Sequence, residues 1–308
     1  MPKKPERVLN QPPSLLARFD PERSVNSGQV FLWEKIGQNW YGIHADSVVK
    51  FSRQQDGVLV FESFPEDRQK KIERSMFRLD DDIDAIFAEI SRDAFVQELI
   101  SLYAGLRLMR QDPAQCIISF VCASNTNIPM IRMMLGRLSK TYGQQVIADG
   151  IEFHTFPPVQ ALYKASESDL RACGLGYRAK AVRAAAGAMA EGSLDLEWMR
   201  KASYDEAKTE LLKVYGIGPK IADCILLFSL DKLDAFPIDV WIARALASHY
   251  DWLATSNNKE KKTKVCEKLT ERQYAEASGA ARRYFGQYAG YAQQFLYYHM
   301  RQGAGKKW

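Results

Sequence analysis

No apolar stretch in these 308 residues approaches the ~20 that a membrane-spanning helix requires. The leading MPKKPERVLNQPP is basic but has no apolar run within it, so no secretory signal is expected. Cysteine is scarce and unpaired in pattern. The five (Cys116, Cys122, Cys173, Cys224 and Cys266) are odd in number, scattered, and form no CxxC. That argues for a reducing compartment, and against a disulfide framework, a zinc site or a four-cysteine iron–sulfur cluster. Internal repeats and low-complexity tracts are missing too. The net charge is only +5, too small to identify a polyanionic partner by itself.

What is present is a globular composition, 46% hydrophobic and 26% charged, long enough for two or three domains. Its charge is unevenly placed. Residues 240–308 hold twelve Lys/Arg against five Asp/Glu, and residues 61–98 hold eleven acidic residues against six basic. Such asymmetry suits one face meeting phosphates, although charge runs are more often plain solvated faces.

Between about Ser27 and Phe64 the pattern is β-like: VFLWEKI, NWYGIHA, SVVKFSRQ and VLVFES, punctuated by Gly37, Gly42 and Asp56-Gly57. An antiparallel sheet is expected, with Met76 to Leu79 offering a further strand. Asp80-Asp81-Asp82 should cap a helix to about Ile90, with Ile83, Ile86, Phe87 and Ile90 on one face. A second helix should run from Asp93 towards Leu102. After Gln111-Asp112-Pro113 the chain reads as successive helices, over 114–123, 127–142, 166–173, 178–191, 195–200, 204–215, 220–230, 239–249, 259–277 and 279–302. The expected fold class is therefore α+β. Residues 1–112 hold the sheet and its helices, and residues 113–308 form a mostly α-helical core.

The densest chemistry lies in LLKVYGIGPKIADCILLFSLDKLDAFPIDVWIARA, Leu211 to Ala245. A tight turn, Gly216-Ile217-Gly218-Pro219, joins two helices. Its glycines can take φ > 0, and Pro219 suits a first helical turn. Lys220 then sits at the positive end of the helix dipole, which should lower its pKa towards the free amine of a nucleophile. Asp239 follows nineteen residues later as an N-cap after Pro237. GIGPK alone is equally a capped hairpin with an ordinary surface lysine. The ordered set of turn, lysine, proline and aspartate resembles the helix-hairpin-helix DNA glycosylases. In that family the hairpin's N–H groups hold a DNA phosphate, and a lysine at this position marks the members that also cleave the strand. By that resemblance the motif spans about 204–230, with Gly216 and Gly218 as DNA-binding positions and Lys220 and Asp239 as catalytic ones.

Four further stretches resemble the 8-oxoguanine DNA glycosylases within that superfamily. Ser27-Gly28-Gln29 resembles the opening strand, whose glycine carbonyl accepts from N7–H of the oxidised base; alone it would be a turn. Ser124-Asn125-Thr126-Asn127 resembles the turn whose first asparagine fills the space left by the flipped nucleotide, and doubles as a helix cap. Gly174-Leu175-Gly176-Tyr177-Arg178 resembles the wedge loop, with Tyr177 intercalating and Arg178 facing the estranged cytosine. Tyr288 to Tyr297 resembles the C-terminal helix, where Gln293 reads the Watson–Crick edge and Tyr297, four residues on, forms one stacking wall opposite Cys224. An aromatic stripe at this spacing is otherwise core. Two positions depart from the family: an arginine that reads the cytosine falls on Met130, and a phosphate-contacting histidine falls on Trp241.

The resemblance implies an N-terminal antiparallel β-sheet domain of TATA-binding-protein type before a helical glycosylase core. It implies a bifunctional enzyme, glycosylase and abasic-site lyase, acting on double-stranded DNA containing 8-oxoguanine. No cofactor, metal, membrane or obligate protein partner is implied. A monomer is expected, and the departures suggest a prokaryotic branch, hence a cytoplasmic, nucleoid-associated protein. Because Met130 offers no donor, a relaxed preference for the opposite base is expected. The rivals are a non-catalytic DNA-binding module that uses only the hairpin backbone, and a glycosylase for alkylated bases, which usually lacks the lysine.

Overall fold

A computed structural model describes residues 19–55, 57–65, 69–250 and 269–305. After a short helix α1 (Pro21–Val25), four strands form a meander: β1 (Trp33–Ile36), β2 (Asn39–His44), β3 (Ser47–Arg53) and β4 (Leu59–Phe64). Each pairs antiparallel with the next, so that Trp40 faces Phe51 and Phe51 faces Phe61. Successive residues point to opposite faces, and here both faces are covered. Tyr41, Ile43 and Val48 join the main core, while Trp33, Trp40, Phe51 and Phe61 close with Phe77 into a separate aromatic cluster. Gly42 is demanded by that cluster, because a Cβ there would lie 2.1 Å from the Trp33 ring.

The helices that follow begin where short acidic or amide side chains can hold orphan N–H groups. α2 spans Gln69–Met76. Asp82 caps α3 (Ile83–Ile90), Asp93 caps α4 (Ala94–Leu102), Asp112 caps α5 (Pro113–Cys122) and Asn127 caps α6 (Ile128–Tyr142). Next come a hairpin, β5 (Gln145–Ala148) and β6 (Ile151–His154), then α7 (Val159–Lys164) and α8 (Glu167–Leu170). The chain winds through a π turn (Arg171–Leu175) into α9 (Arg178–Ala190), α10 (Leu196–Lys201) and α11 (Tyr204–Leu212). The remaining helices are α12 (Pro219–Ser229), α13 (Val240–His249), α14 (Glu271–Phe285) and α15 (Ala289–Gly303). No helix among the described residues is long and apolar enough to cross a membrane.

The fold is the α+β arrangement that the sequence indicates, with local corrections, the first being that α1, α2 and α7 were not expected. Met76 to Leu79 is not a strand: it ends α2 and turns, since Arg78 has φ +49° and its neighbours are held by burial rather than by a ladder. The segment after α6 is not purely helical, because Asp149 (φ +51°) and Gly150 (φ +78°) make the turn of the β5–β6 hairpin. The 166–173 helix ends early, at Leu170, and passes into the π turn. The break between the last two helices falls at Gly286 (φ +76°), not near Gly279, which lies inside α14. The segment 259–268 and Cys266 lie outside the described residues.

An ion-pair hub ties the N-terminal part to the helical core. Asp231 receives Arg78 at 2.6 Å and Arg110 at 2.8 Å, and Arg110 also reaches Asp80 at 3.2 Å. Arg78 is only 1% exposed, and Asp231 and Asp81 (3.7 Å) balance its buried charge. Burial acts to raise the Asp231 carboxyl, but Arg78 and Arg110 outweigh it and hold the pKa below the usual range. A depressed carboxyl stabilises the fold above its unfolded pKa, and that contribution disappears as pH falls through the folded value. Asp231→Asn should therefore cost about 3 kcal/mol at neutral pH, with a smaller loss in acid below the ordinary ~3.9. Urea melts at both pH values check this; an equal loss at both would show that charge is not the cause.

Candidate active site

The turn before α12 places Lys220. Gly216 has φ +88°, and a Cβ on it would meet Ala181 Cβ at 2.3 Å, so glycine is required there on two counts. Gly218 is different from expectation: it is extended (φ −93°, ψ 177°) and acts as N-cap without a side-chain bond. A Cβ there would meet nothing within 4 Å. Its value is open access to the first N–H groups of the helix, not a special φ. Lys220 is half-buried in the first turn of α12, and Cys224, one turn on, is buried.

Asp239 caps α13 by accepting from Trp241 N and Ile242 N, both at 2.9 Å. Burial pushes its carboxyl above the usual range, while Lys220, those two N–H groups and Arg301 pull it back down. Burial likewise pushes the Cys224 thiol up to about 12, with Lys220 opposing and Asp223 and Asp239 adding to the rise. The thiol is therefore neutral and apolar in character. Tyr297 is also raised by burial and by Asp239, and opposed by Arg301. Lys220, Cys224, Asp239 and Tyr297 thus act on one another electrostatically across α12, α13 and α15.

Behind the lysine lies a polar support. Asp223 is fully buried, receives Lys208 at 2.8 Å, and accepts from the hydroxyls of Tyr204 and Tyr274 at 2.6 Å each. The Tyr274 oxygen in turn accepts from Ile238 N at 3.3 Å, one residue before Asp239. This chain fixes the lysine helix against the aspartate loop.

Gln293 is 4% exposed. Its Nε2 donates to the carbonyl of Pro237 at 3.0 Å, which leaves Oε1 buried with no donor among the described residues. The neighbouring Gln294 donates to the Ser27 carbonyl at 3.0 Å, and Gln111 donates to the Gln29 carbonyl at 2.8 Å. Gly28 lies between them in a turn (φ +77°) rather than on a strand, because β1 starts only at Trp33. Its carbonyl accepts no hydrogen bond among the described residues, unlike those on either side.

The Asn125 turn and the wedge loop are joined directly. The Ser124 carbonyl accepts from Arg178 Nε at 2.8 Å and Nη2 at 2.6 Å, and from the Tyr177 hydroxyl at 3.2 Å. Arg178 Nη2 also reaches the Asn125 carbonyl at 3.1 Å, and the guanidinium lies 4.5 Å from the Tyr177 ring centroid. Tyr177 is 59% exposed and Met130 41%, so both face solvent. Sequence reasoning missed Arg301, Asp223 and Tyr274. Arg301 was readable in principle, since it continues the four-residue spacing of Gln293 and Tyr297. Among the described residues no group of three or more His, Cys, Asp or Glu could hold a metal ion.

Comparison with known proteins identifies the family. Residues 14–117 match the model of the 8-oxoguanine DNA glycosylase N-terminal domain. Residues 118–272 match that of the HhH-GPD superfamily of base excision DNA repair proteins. The N-glycosylase/DNA lyase OGG1 of Arabidopsis thaliana is 33% identical, over 88% of this chain and 74% of its own length. A probable N-glycosylase/DNA lyase of Methanothermobacter thermautotrophicus is 30% identical, over 81% of each chain. The solved 8-oxoguanine glycosylase/lyase of Clostridium acetobutylicum, in complex with DNA carrying cytosine opposite the lesion, superposes with a TM-score of 0.82. That structure is 29% identical, and the match covers 94% of this chain and 93% of the other. The chain therefore belongs to the 8-oxoguanine DNA glycosylases of the helix-hairpin-helix superfamily of base excision repair proteins.

Proposed function

We propose that this chain excises 8-oxoguanine from duplex DNA and then nicks the strand, with Lys220 as nucleophile and Asp239 as its electrostatic partner. The observation that carries the reading is the pair of idle acceptors: Gln293 Oε1, buried without a donor, and the Gly28 carbonyl, on a loop that Gln294 docks beside it. A guanine Watson–Crick edge supplies N1–H and N2–H donors for the glutamine. The oxidised base alone adds N7–H for the glycine carbonyl. Undamaged guanine has a bare N7 acceptor there, so two acceptors would face each other. In a dry pocket a missing bond of this kind costs about 1–3 kcal/mol. Cys224 and Tyr297 serve as the two walls between which the flipped base stacks.

In the reaction the Lys220 amine attacks C1′, and the glycosidic bond breaks with its electron pair leaving on the base, which takes up a proton. Asp239 offsets the positive charge that develops on the sugar and accepts a proton from the attacking amine. Ring opening gives a Schiff base, and loss of a proton from C2′ expels the 3′ phosphate. The hairpin N–H groups at Gly216 and Gly218 hold a backbone phosphate, and Tyr177 enters the stack where the lesion has left. A bare phosphate-binding module would need only the hairpin backbone. The buried acceptor and the half-buried aspartate that interacts with the lysine favour an enzyme.

Arg178 and Asn125 are left to read the estranged base, since the exposed Met130 has no donor. Loss of one good base contact is worth about 1–3 kcal/mol of discrimination, or roughly ten- to a hundredfold. Single-turnover excision from duplexes with each of the four opposite bases should therefore show only a modest preference for cytosine. Met130→Arg should strengthen it, and undamaged guanine should be left in place. A strong cytosine preference in the parent protein would refute the role given to Met130. Failure to remove 8-oxoguanine opposite any base would refute the function.

A further inference from the structure

Arg301 shares one face of α15 with Gln293 and Tyr297, each four residues from the next. It lies in the last turn of that helix, and three groups of the site meet it. It donates a side-chain hydrogen bond to the Tyr297 hydroxyl, its charge acts on the half-buried Asp239, and its guanidinium lies 6.0 Å from the Trp241 ring centroid. Arg244 lies 4.8 Å from the same ring. Trp241 is the residue whose backbone N–H binds the Asp239 carboxylate, so Arg301 packs beside the side chain of the capping residue. None of the steps described above uses this arginine.

We propose that Arg301 is a positioning residue that keeps Asp239 ionised and fixes the orientation of the Tyr297 wall. The inference rests on the roles given to Lys220 and Asp239. A carboxylate at the bottom of a dry pocket is pulled towards its neutral form, and a neutral Asp239 could neither oppose the charge on the sugar nor take a proton. The groups that face it are Lys220 and Cys224 from α12, Arg301 and Tyr297 from α15, and the two N–H groups of its own helix. Lys220 must give up its charge to attack, and the thiol and phenol carry none. At that moment Arg301 adds its charge to the two N–H groups that oppose protonation of Asp239.

The test is the pH profile of single-turnover excision of 8-oxoguanine for the parent, Arg301→Leu and Arg301→Lys, each also in an Asp239→Asn background. Arg301→Leu should displace the acid limb to higher pH, so that its deficit is larger near about pH 6 than near about pH 8. Arg301→Lys should restore most of the limb, and Asp239→Asn should abolish the displacement. An unmoved limb in Arg301→Leu, or an equal displacement with and without the Asp239 carboxylate, would overturn the proposal. If Arg301→Leu does not fold, the smaller displacement expected of Arg301→Lys decides by the same criteria. Borohydride trapping of the parent separates the two levels. No adduct on Lys220 refutes the site itself, whereas an adduct with an unmoved limb refutes the role of Arg301 alone.

Discussion

Lys220→Gln is expected to bind lesion-containing duplex nearly as well as the parent protein and to excise nothing measurable. The hairpin, the idle acceptors on Gly28 and Gln293, and the wedge are all untouched by the substitution. What disappears is the amine proposed to form the bond to C1′. Loss of a nucleophile removes a whole covalent pathway rather than one contact, so the rate should fall by at least about three orders of magnitude. Lys220 is half-buried and lies on the open side of α12, so thermal stability should barely move. Single-turnover excision together with a binding titration checks both halves. Substantial excision by the variant would mean that a water, not this lysine, attacks the sugar.

Asp239→Asn is expected to separate activity from stability. Asparagine keeps an oxygen for Trp241 N and Ile242 N and remains a good helix cap. It removes the charge that faces the developing cation, a loss on the order of 10²–10³ in rate. The linkage argument gives the sign of the stability change. Burial raises the folded pKa of Asp239 above its unfolded value, so the folded state holds the proton more tightly. Ionisation then works against folding as pH rises through the folded pKa. At neutral pH the variant should be at least as stable as the parent. Thermal unfolding and single-turnover rates on the same sample decide it. A large fall in melting temperature with preserved turnover would make Asp239 a structural cap only.

What the sequence disclosed about this site followed the range of the interactions. Lys220 and its turn are local, and the sequence names Gly216 and Pro219 because each answers a backbone demand within a few residues, whereas Gly218 is extended and answers none. Asp239 is legible for the same reason, as a cap. Gln293 and Tyr297 are legible through helical spacing, although the idle Oε1 of Gln293 depends on Pro237, fifty-six residues away. Arg301 follows the same spacing, yet its partners Asp239 and Trp241 lie on another helix. Within a basic C-terminal third it looks like any surface cation. Asp223 and Tyr274 are invisible to local reading, since a buried aspartate in mid-helix makes sense only beside Lys208 and two tyrosines from other helices.

The fold shows the same division. The four-stranded meander is written in alternation and in tight turns, and the caps of α3 to α6 are written in Asp82, Asp93, Asp112 and Asn127. The strand expected at Met76 to Leu79 failed because apolar residues there fill an aromatic cluster assembled from distant strands. The β5–β6 hairpin was missed although Asp149-Gly150 carries the same turn signal as Asp56-Gly57. Its strands are four residues each, too short for alternation to stand out among helices. Gly279 attracted the final helix break because glycine disfavours helix interiors by about 1 kcal/mol. The chain turns instead at Gly286, where a Cβ would meet Glu89 Oε1 at 2.6 Å.

The claim on which the rest depends is that Lys220 forms the covalent bond to the sugar beneath 8-oxoguanine. Its most direct test is to reduce the reaction of the parent protein with an 8-oxoguanine duplex using borohydride, digest the product, and map the DNA-linked peptide by mass spectrometry. The account predicts a single adduct on the peptide containing Gly218-Pro219-Lys220, and none with undamaged duplex. An adduct on any other lysine, or release of the base with no adduct at all, would contradict it.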